Sequence, residues 1–240
     1  RLAVQLEGPP AHWGWTAEAK FGLEAKRKEM AVVFLIDRTF EQFLQKVVDA
    51  VLKVYDKYLL PDDLVGYFGL GDGWIFNTQP KGEGESESAL RQQIVDSVQK
   101  TGDPHVYSSI QKCVGHLATE VDDKYNKWLV VLTDTVDFEC ANAKGVFDKQ
   151  ATTRADAAVT NVVESIRHMT GLNFVIIDAH GIANFNAKHP MWPTWHKMSQ
   201  KLTDEVGEAN TGLNIQATNM SDIDEAFEKV AGAMSGGAAG

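Results

Sequence analysis

The chain has 240 residues, 44% of them hydrophobic and 23% charged, which is ordinary for a soluble globular protein with a sizeable core. Its 23 basic and 33 acidic residues give a formal net charge of −10, which argues against a surface that tracks nucleic-acid phosphates. Two cysteines, Cys113 and Cys140, make no disulfide framework and suggest a reducing compartment, here the cytoplasm. No run approaches the roughly 18 apolar residues of a membrane span, and no signal peptide is recognisable.

Residues 1–28 are expected to form an N-terminal extension. "EGPPAHWGW" is a Pro/Gly/aromatic loop, and 16–28 suits a helix capped by Thr16. The domain proper is placed at 29–232. It opens with AVVFLI at 31–36, an apolar run typical of a strand covered on both faces. A helix is expected over 39–58, where Phe40, Phe43, Leu44, Val47, Val48, Val51, Leu52 and Tyr55 form one apolar stripe, and Pro61 closes it. Strands at 64–70 and 74–77, joined by "GDG", suggest a hairpin. "PKGEGESES" is a polar loop before helices at 87–100 and 106–120.

WLVVLT at 128–133 is a second fully apolar strand, followed by a long loop to about 153 and a helix over 156–170. LNFVIID at 172–178 is a third. After "AHGIANFNAKHP" come a helix at 192–206, a short strand at 213–217, and a last helix to 234 capped by Ser221, with Asp224 in its first turn. Residues 233–240 are a loose Gly/Ala tail. Strands alternating with helices predict an α/β fold: a doubly wound, mostly parallel six-stranded sheet with helices on both faces. The predicted order is 3-2-1-4-5-6, with the hairpin strand antiparallel at one edge. Ligands collect at the carboxyl ends of such strands, where Asp37, Asp134 and Asp178 stand.

Asp37-Arg38-Thr39-Phe40-Glu41 after the first strand, and "VVLTDTVD" at 130–137, resemble the von Willebrand factor type A domain. The resemblance covers roughly 29–232 in element order. It implies a Rossmann-like sheet and a metal-ion-dependent adhesion site of the form Asp-x-Ser-x-Ser, a threonine in a second loop, and an aspartate after the fourth strand. Asp37 matches the first aspartate, Thr39 the first serine and Asp134 the last aspartate. Glu41 stands where the second serine is usual. In "TGDPHVYSSI", Pro104 falls on the liganding threonine, and the glycine usual after the last aspartate is Thr135. The site is therefore degenerate. Its implied ligands are Asp37, Thr39, Glu41 and Asp134, holding Mg2+ (or Mn2+ or Ca2+). A hard ion wants such oxygen donors. Glu41, with Asp103 beside Pro104, adds negative charge, which makes the site less suited to acidic partners than an intact one.

Bland readings compete. Thr39-Phe40-Glu41-Gln42 has the form of a helix capping box, and Asp134-Thr135 suits a side-chain turn. "GLGDGW" (69–74) echoes a dinucleotide loop, but a strand rather than a helix follows it. His180, His189 and His196 match no zinc spacing. The serines of "YSSI" lack a nucleophile elbow. Met191, Trp192, Trp195 and Met198 sit at helical spacing, as core residues do.

The expected function is a protein–protein interaction module of a larger intracellular protein, a scaffold element meeting another protein at the carboxyl-end face. A metal-assisted enzyme using Asp37, Asp134 and Asp178, or a metal-free architectural domain, are the alternatives. An acid–base pair in a closed pocket would favour the enzyme, and an open metal face the interaction module.

Overall fold

The apolar runs at 30–36, 126–133 and 172–178 become three of the four inner strands of one six-stranded sheet. The computed structural model describes residues 27–38, 43–98, 104–134, 137–142, 144, 146–169, 171–179, 182, 191–209 and 213–235. The expected N-terminal helix and the Gly/Ala tail fall almost wholly outside these. The elements in chain order are β1 (Met30–Ile36), α1 (Leu44–Tyr58), β2 (Leu64–Gly69), β3 (Gly73–Pro80), α2 (Glu85–Asp96), α3 (Val106–Thr119) and β4 (Asn126–Thr133). A 3-10 turn at Phe138–Cys140 follows, then α4 (Ala151–Arg167), β5 (Leu172–Asp178), α5 (Trp192–Ala209), β6 (Leu213–Gln216) and α6 (Met220–Met234).

The sheet runs β3-β2-β1-β4-β5-β6, as the alternation predicts. β1 pairs in parallel with both β2 and β4, in the registers Ile36↔Gly69 and Ile36↔Leu132. β4, β5 and β6 continue in parallel. β3 is antiparallel to β2 and forms the edge. The hairpin turn needs Gly71 and Gly73, whose φ values of 89° and 97° disfavour any side chain with a Cβ. At this edge Trp74 rests on His116 of α3 with ring centres 4.6 Å apart. Thr78 Oγ1 lies 2.6 Å from His116 Nε2.

Alternation along β1 explains the layers. Met30, Val32, Phe34 and Ile36 face one cluster with α1 and α6, where Val47, Val51, Tyr55, Phe227 and Val230 are buried. Ala31, Val33 and Leu35 face the other, with Ile110, Cys113, Val159, Val163 and Trp195 of α3, α4 and α5. Met191 and Met198 belong to this second core, as their spacing predicts; the Trp192 side chain lies outside the described set.

Two expected helix starts are corrected. α1 begins at Leu44, with Phe43 at its N-cap and no side-chain cap, so Thr39 is not the cap of this helix. α6 is capped by Asn219, not Ser221: Asn219 accepts from the Ser221 and Asp222 amides, and the Asp222 side chain completes a capping box. The pattern misleads because Ser221 is itself held by that cap, its hydroxyl donating to Asn219 Oδ1 at 2.5 Å. α4 also starts earlier than expected, at Ala151, which shortens the long loop.

Candidate functional site

The parallel order brings the carboxyl ends of β1, β4 and β5 together. The Asp37 amide extends the ladder beyond β1 by donating to the Leu132 carbonyl at 2.8 Å, and Ala179 does the same to Thr133 at 2.9 Å. Three aspartates therefore occupy neighbouring strand ends. Asp37 and Asp178 are fully buried and Asp134 is 2% exposed. Asp37 Oδ2 accepts from Thr133 Oγ1 at 3.2 Å, which ties the end of β1 to the residue preceding Asp134. Asp178 Oδ2 faces Gln216 Nε2 of β6 at 3.5 Å. Buried carboxylates need hydrogen bonds or a cation to offset lost hydration.

The segment after Asp37 is fastened by its neighbour. Arg38 is 4% exposed. Its Nε donates to the Ser97 carbonyl at 2.8 Å, and its Nη1 pairs with Asp72 in the β2–β3 turn. Ser97 Oγ in turn donates to Tyr67 Oη at 3.1 Å. Gly69 permits this route: a Cβ there would sit 2.7 Å from Arg38 Cδ. Gly69→Ala should cost about 1–3 kcal/mol by overpacking, read by urea denaturation. A loss under about 0.5 kcal/mol would show that Arg38 moves aside freely.

Thr39 and Glu41 lie outside the described residues, as do Asp103, Thr135, His180 and His189 and the side chain of His196. Pro104 is buried, and its carbonyl accepts from the Phe138 amide at 3.0 Å; its ring supplies no donor. Among the described residues no three His, Cys, Asp or Glu side chains form a group able to hold a metal ion. The described donors toward a cation are thus Asp37 and Asp134, two buried carboxylates at adjoining strand ends, and hard oxygen donors of this kind suit Mg2+, Mn2+ or Ca2+.

A carboxylate that the sequence did not flag stands close by. Asp137 is fully buried. Its Oδ1 accepts from the Glu139 amide at 2.8 Å, while Oδ2 has no hydrogen bond within the standard geometry among the described residues. Burial, followed by the charge of Glu139, pushes its pKa up to about 8, against the opposing pull of the Glu139, Tyr107 and Val106 amides. Burial, then the nearby carboxylates, pushes the Cys140 thiol up to about 12. Burial raises Cys113 as well. Both cysteines are free and buried, and neither is an activated nucleophile.

No family model matches the sequence, and no curated protein matches it. Solved structures do resemble it in fold. A von Willebrand factor type A protein from Catenulispora acidiphila is 11% identical with a TM-score of 0.56, over 87% of this chain and 43% of that one. The SpRpn10 VWA domain is 10% identical with a TM-score of 0.54, over 84% and 95%. Proximal thread matrix protein 1 from the mussel byssus, with a zinc-occupied MIDAS motif, is 10% identical with a TM-score of 0.52, over 85% and 47%. The matched region thus spans under half of the Catenulispora and mussel chains. No helix among the described residues is long and apolar enough to cross a membrane. Strand order, helices on both faces and these likenesses agree: the chain has a von Willebrand factor A-type fold, a mostly parallel six-stranded α/β sheet with one antiparallel edge strand.

Proposed function

We propose that the chain is a protein-interaction module that meets its partner at the carboxyl-end edge of the sheet, through a divalent cation held by Asp37, Asp134, Thr39 and Glu41. The observation that carries this reading is the pair of buried carboxylates, Asp37 and Asp134, at the ends of adjacent parallel strands linked through Thr133. The start of α1 at Leu44 supports it further, because the 39–41 segment is then not consumed as that helix's cap. A zinc ion occupies the adhesion motif of the mussel protein of similar fold.

Each residue has a task. Asp37 and Asp134 supply anionic oxygens from rigid strand ends. Arg38 pins the loop between them and the β2–β3 turn. Thr39 supplies a hydroxyl, and Glu41 a carboxylate in place of the ligand that Pro104 lacks. A bound Mg2+, Mn2+ or Ca2+ would supply positive charge toward an oxygen donor of the partner. Three carboxylates outweigh the ion's two positive charges by one, so a neutral or hydroxyl-bearing partner group suits the site better than an acidic one. The free thiols of Cys113 and Cys140 support a reducing, intracellular setting.

The test is calorimetric and thermal titration with each of the three ions. Saturating ion should stabilise the wild type, by about 2.7 kcal/mol at a hundredfold excess over Kd. Asp37→Ala should abolish that gain while costing about 1–3 kcal/mol of its own, as Thr133 loses its acceptor. A wild type whose melting temperature ignores all three ions at millimolar concentration would overturn the metal reading.

A further inference from the structure

His105, Ser108, Ser109 and Lys112 recur at i, i+3, i+4 and i+7, so they share one face of the start of α3. The apolar face of the same helix, Ile110, Cys113, Val114 and Leu117, is committed to the core. The polar stripe instead lines a cavity of about 420 Å3 whose other walls are Phe68, the turn Gly71-Asp72-Gly73, and Glu139.

Ser109 is the informative residue. It is 4% exposed, and among the described residues its hydroxyl has no hydrogen-bond partner. Several helical hydroxyls in this protein fold back on the carbonyl four residues earlier: Thr119 on Gly115 at 3.0 Å, Thr160 on Asp156 at 2.9 Å and Ser165 on Asn161 at 2.8 Å. Ser109 does not, although it lines the cavity. Lys112, exposed on the same stripe, is in no ion pair among the described residues. Of the two acidic walls, Asp72 is already paired with Arg38, and Glu139 lies 3.9 Å from His105 Nδ1.

We propose that this cavity binds a phosphate group, carried by a small phosphorylated molecule or by a phosphorylated side chain. Two hydroxyls, an ammonium and an imidazole line it from one helix face. A phosphate monoester has three outer oxygens to receive them, where a carboxylate has two. The volume exceeds what a bare phosphate fills and lies in the range of small-molecule sites, about 300–1,000 Å3. The cavity borders the metal edge through the Arg38–Asp72 pair, but none of its lining residues is among the proposed metal ligands.

Amide chemical shifts of the whole chain, titrated with inorganic phosphate, phenyl phosphate and capped phosphoserine against acetate at equal ionic strength, test this. Phosphate should produce saturable shifts at 71–73 and 105–112 that acetate does not. Tighter binding of phenyl phosphate identifies a small-molecule ligand, and tighter binding of phosphoserine a modified side chain. Ser109→Ala and Lys112→Ala should each weaken binding about tenfold, while Glu139→Gln should strengthen it by removing a like charge. A merely structural role for these residues would not produce opposite signs. Shifts no larger than those of acetate, or unchanged affinity in both weakening variants, would overturn the proposal.

Discussion

Asp63→Ala should destabilise this domain by about 3–5 kcal/mol, a large part of the 5–15 kcal/mol that holds such folds. Asp63 is 1% exposed and every lone pair is in use. Its Oδ1 accepts from the Met30 amide at 2.8 Å and from Arg27 Nη1 at 3.0 Å. Its Oδ2 accepts from the Leu60 amide at 2.7 Å and from Arg27 Nη2. One carboxylate therefore satisfies the first amide of the central strand and the last turn after α1, and it anchors the arginine preceding β1. Alanine would leave the buried Met30 N–H without a partner. Arg27→Ala should also destabilise, because it leaves the buried Asp63 charge with its two amide bonds and no counter-ion. Urea denaturation followed by tryptophan fluorescence measures both. A loss below about 1 kcal/mol for Asp63→Ala would mean that water replaces the carboxylate at these amides.

Asp63 also shows where the sequence stops being informative. "LPDDL" offers only a turn, and the role of Asp63 exists because folding delivers Met30 and Arg27 to it from 33 and 36 residues away. By contrast, the apolar runs that became β1, β4 and β5 state their own burial, since a strand covered on both faces has no polar positions to spare. Strand order followed from these, and with it the meeting of Asp37 and Asp134. Helix starts were less legible. Thr-x-x-Gln and Ser-x-x-Asp patterns are short, and each also fits a loop; the structure puts the caps at Phe43 and Asn219. The polar stripe of α3 was visible in "HVYSSIQK" only as a nucleophile candidate. Its meaning depends on the β2–β3 turn facing it, which no local pattern encodes.

Asp137→Asn should become progressively more stable than the wild type as pH rises from about 4 toward 8. The ordinary aspartate value is 3.8, and burial in the folded protein lifts Asp137 to about 8. Between those values the unfolded chain releases a proton that the folded chain keeps. Deprotonation therefore favours unfolding across this window, with a slope of up to about 1.4 kcal/mol per pH unit. The contribution of Asp137 is fully present below the lower value and is lost as pH climbs through the upper one. Above that, both states are ionised and the curve flattens. Asparagine keeps the acceptor for the Glu139 amide and cannot ionise, so it removes the slope without emptying the site. Its NH2 group cannot accept from the Tyr107 and Val106 amides that pull on the carboxylate, a cost that does not change with pH. Glu139 reinforces the effect, since its charge is the second cause of the shift; Glu139→Gln should reduce the slope without removing it. Denaturant titrations of wild type and Asp137→Asn from pH 5 to 9 decide the matter. A constant stability difference across that range would show that solvent reaches the Asp137 carboxylate and that its burial carries no proton.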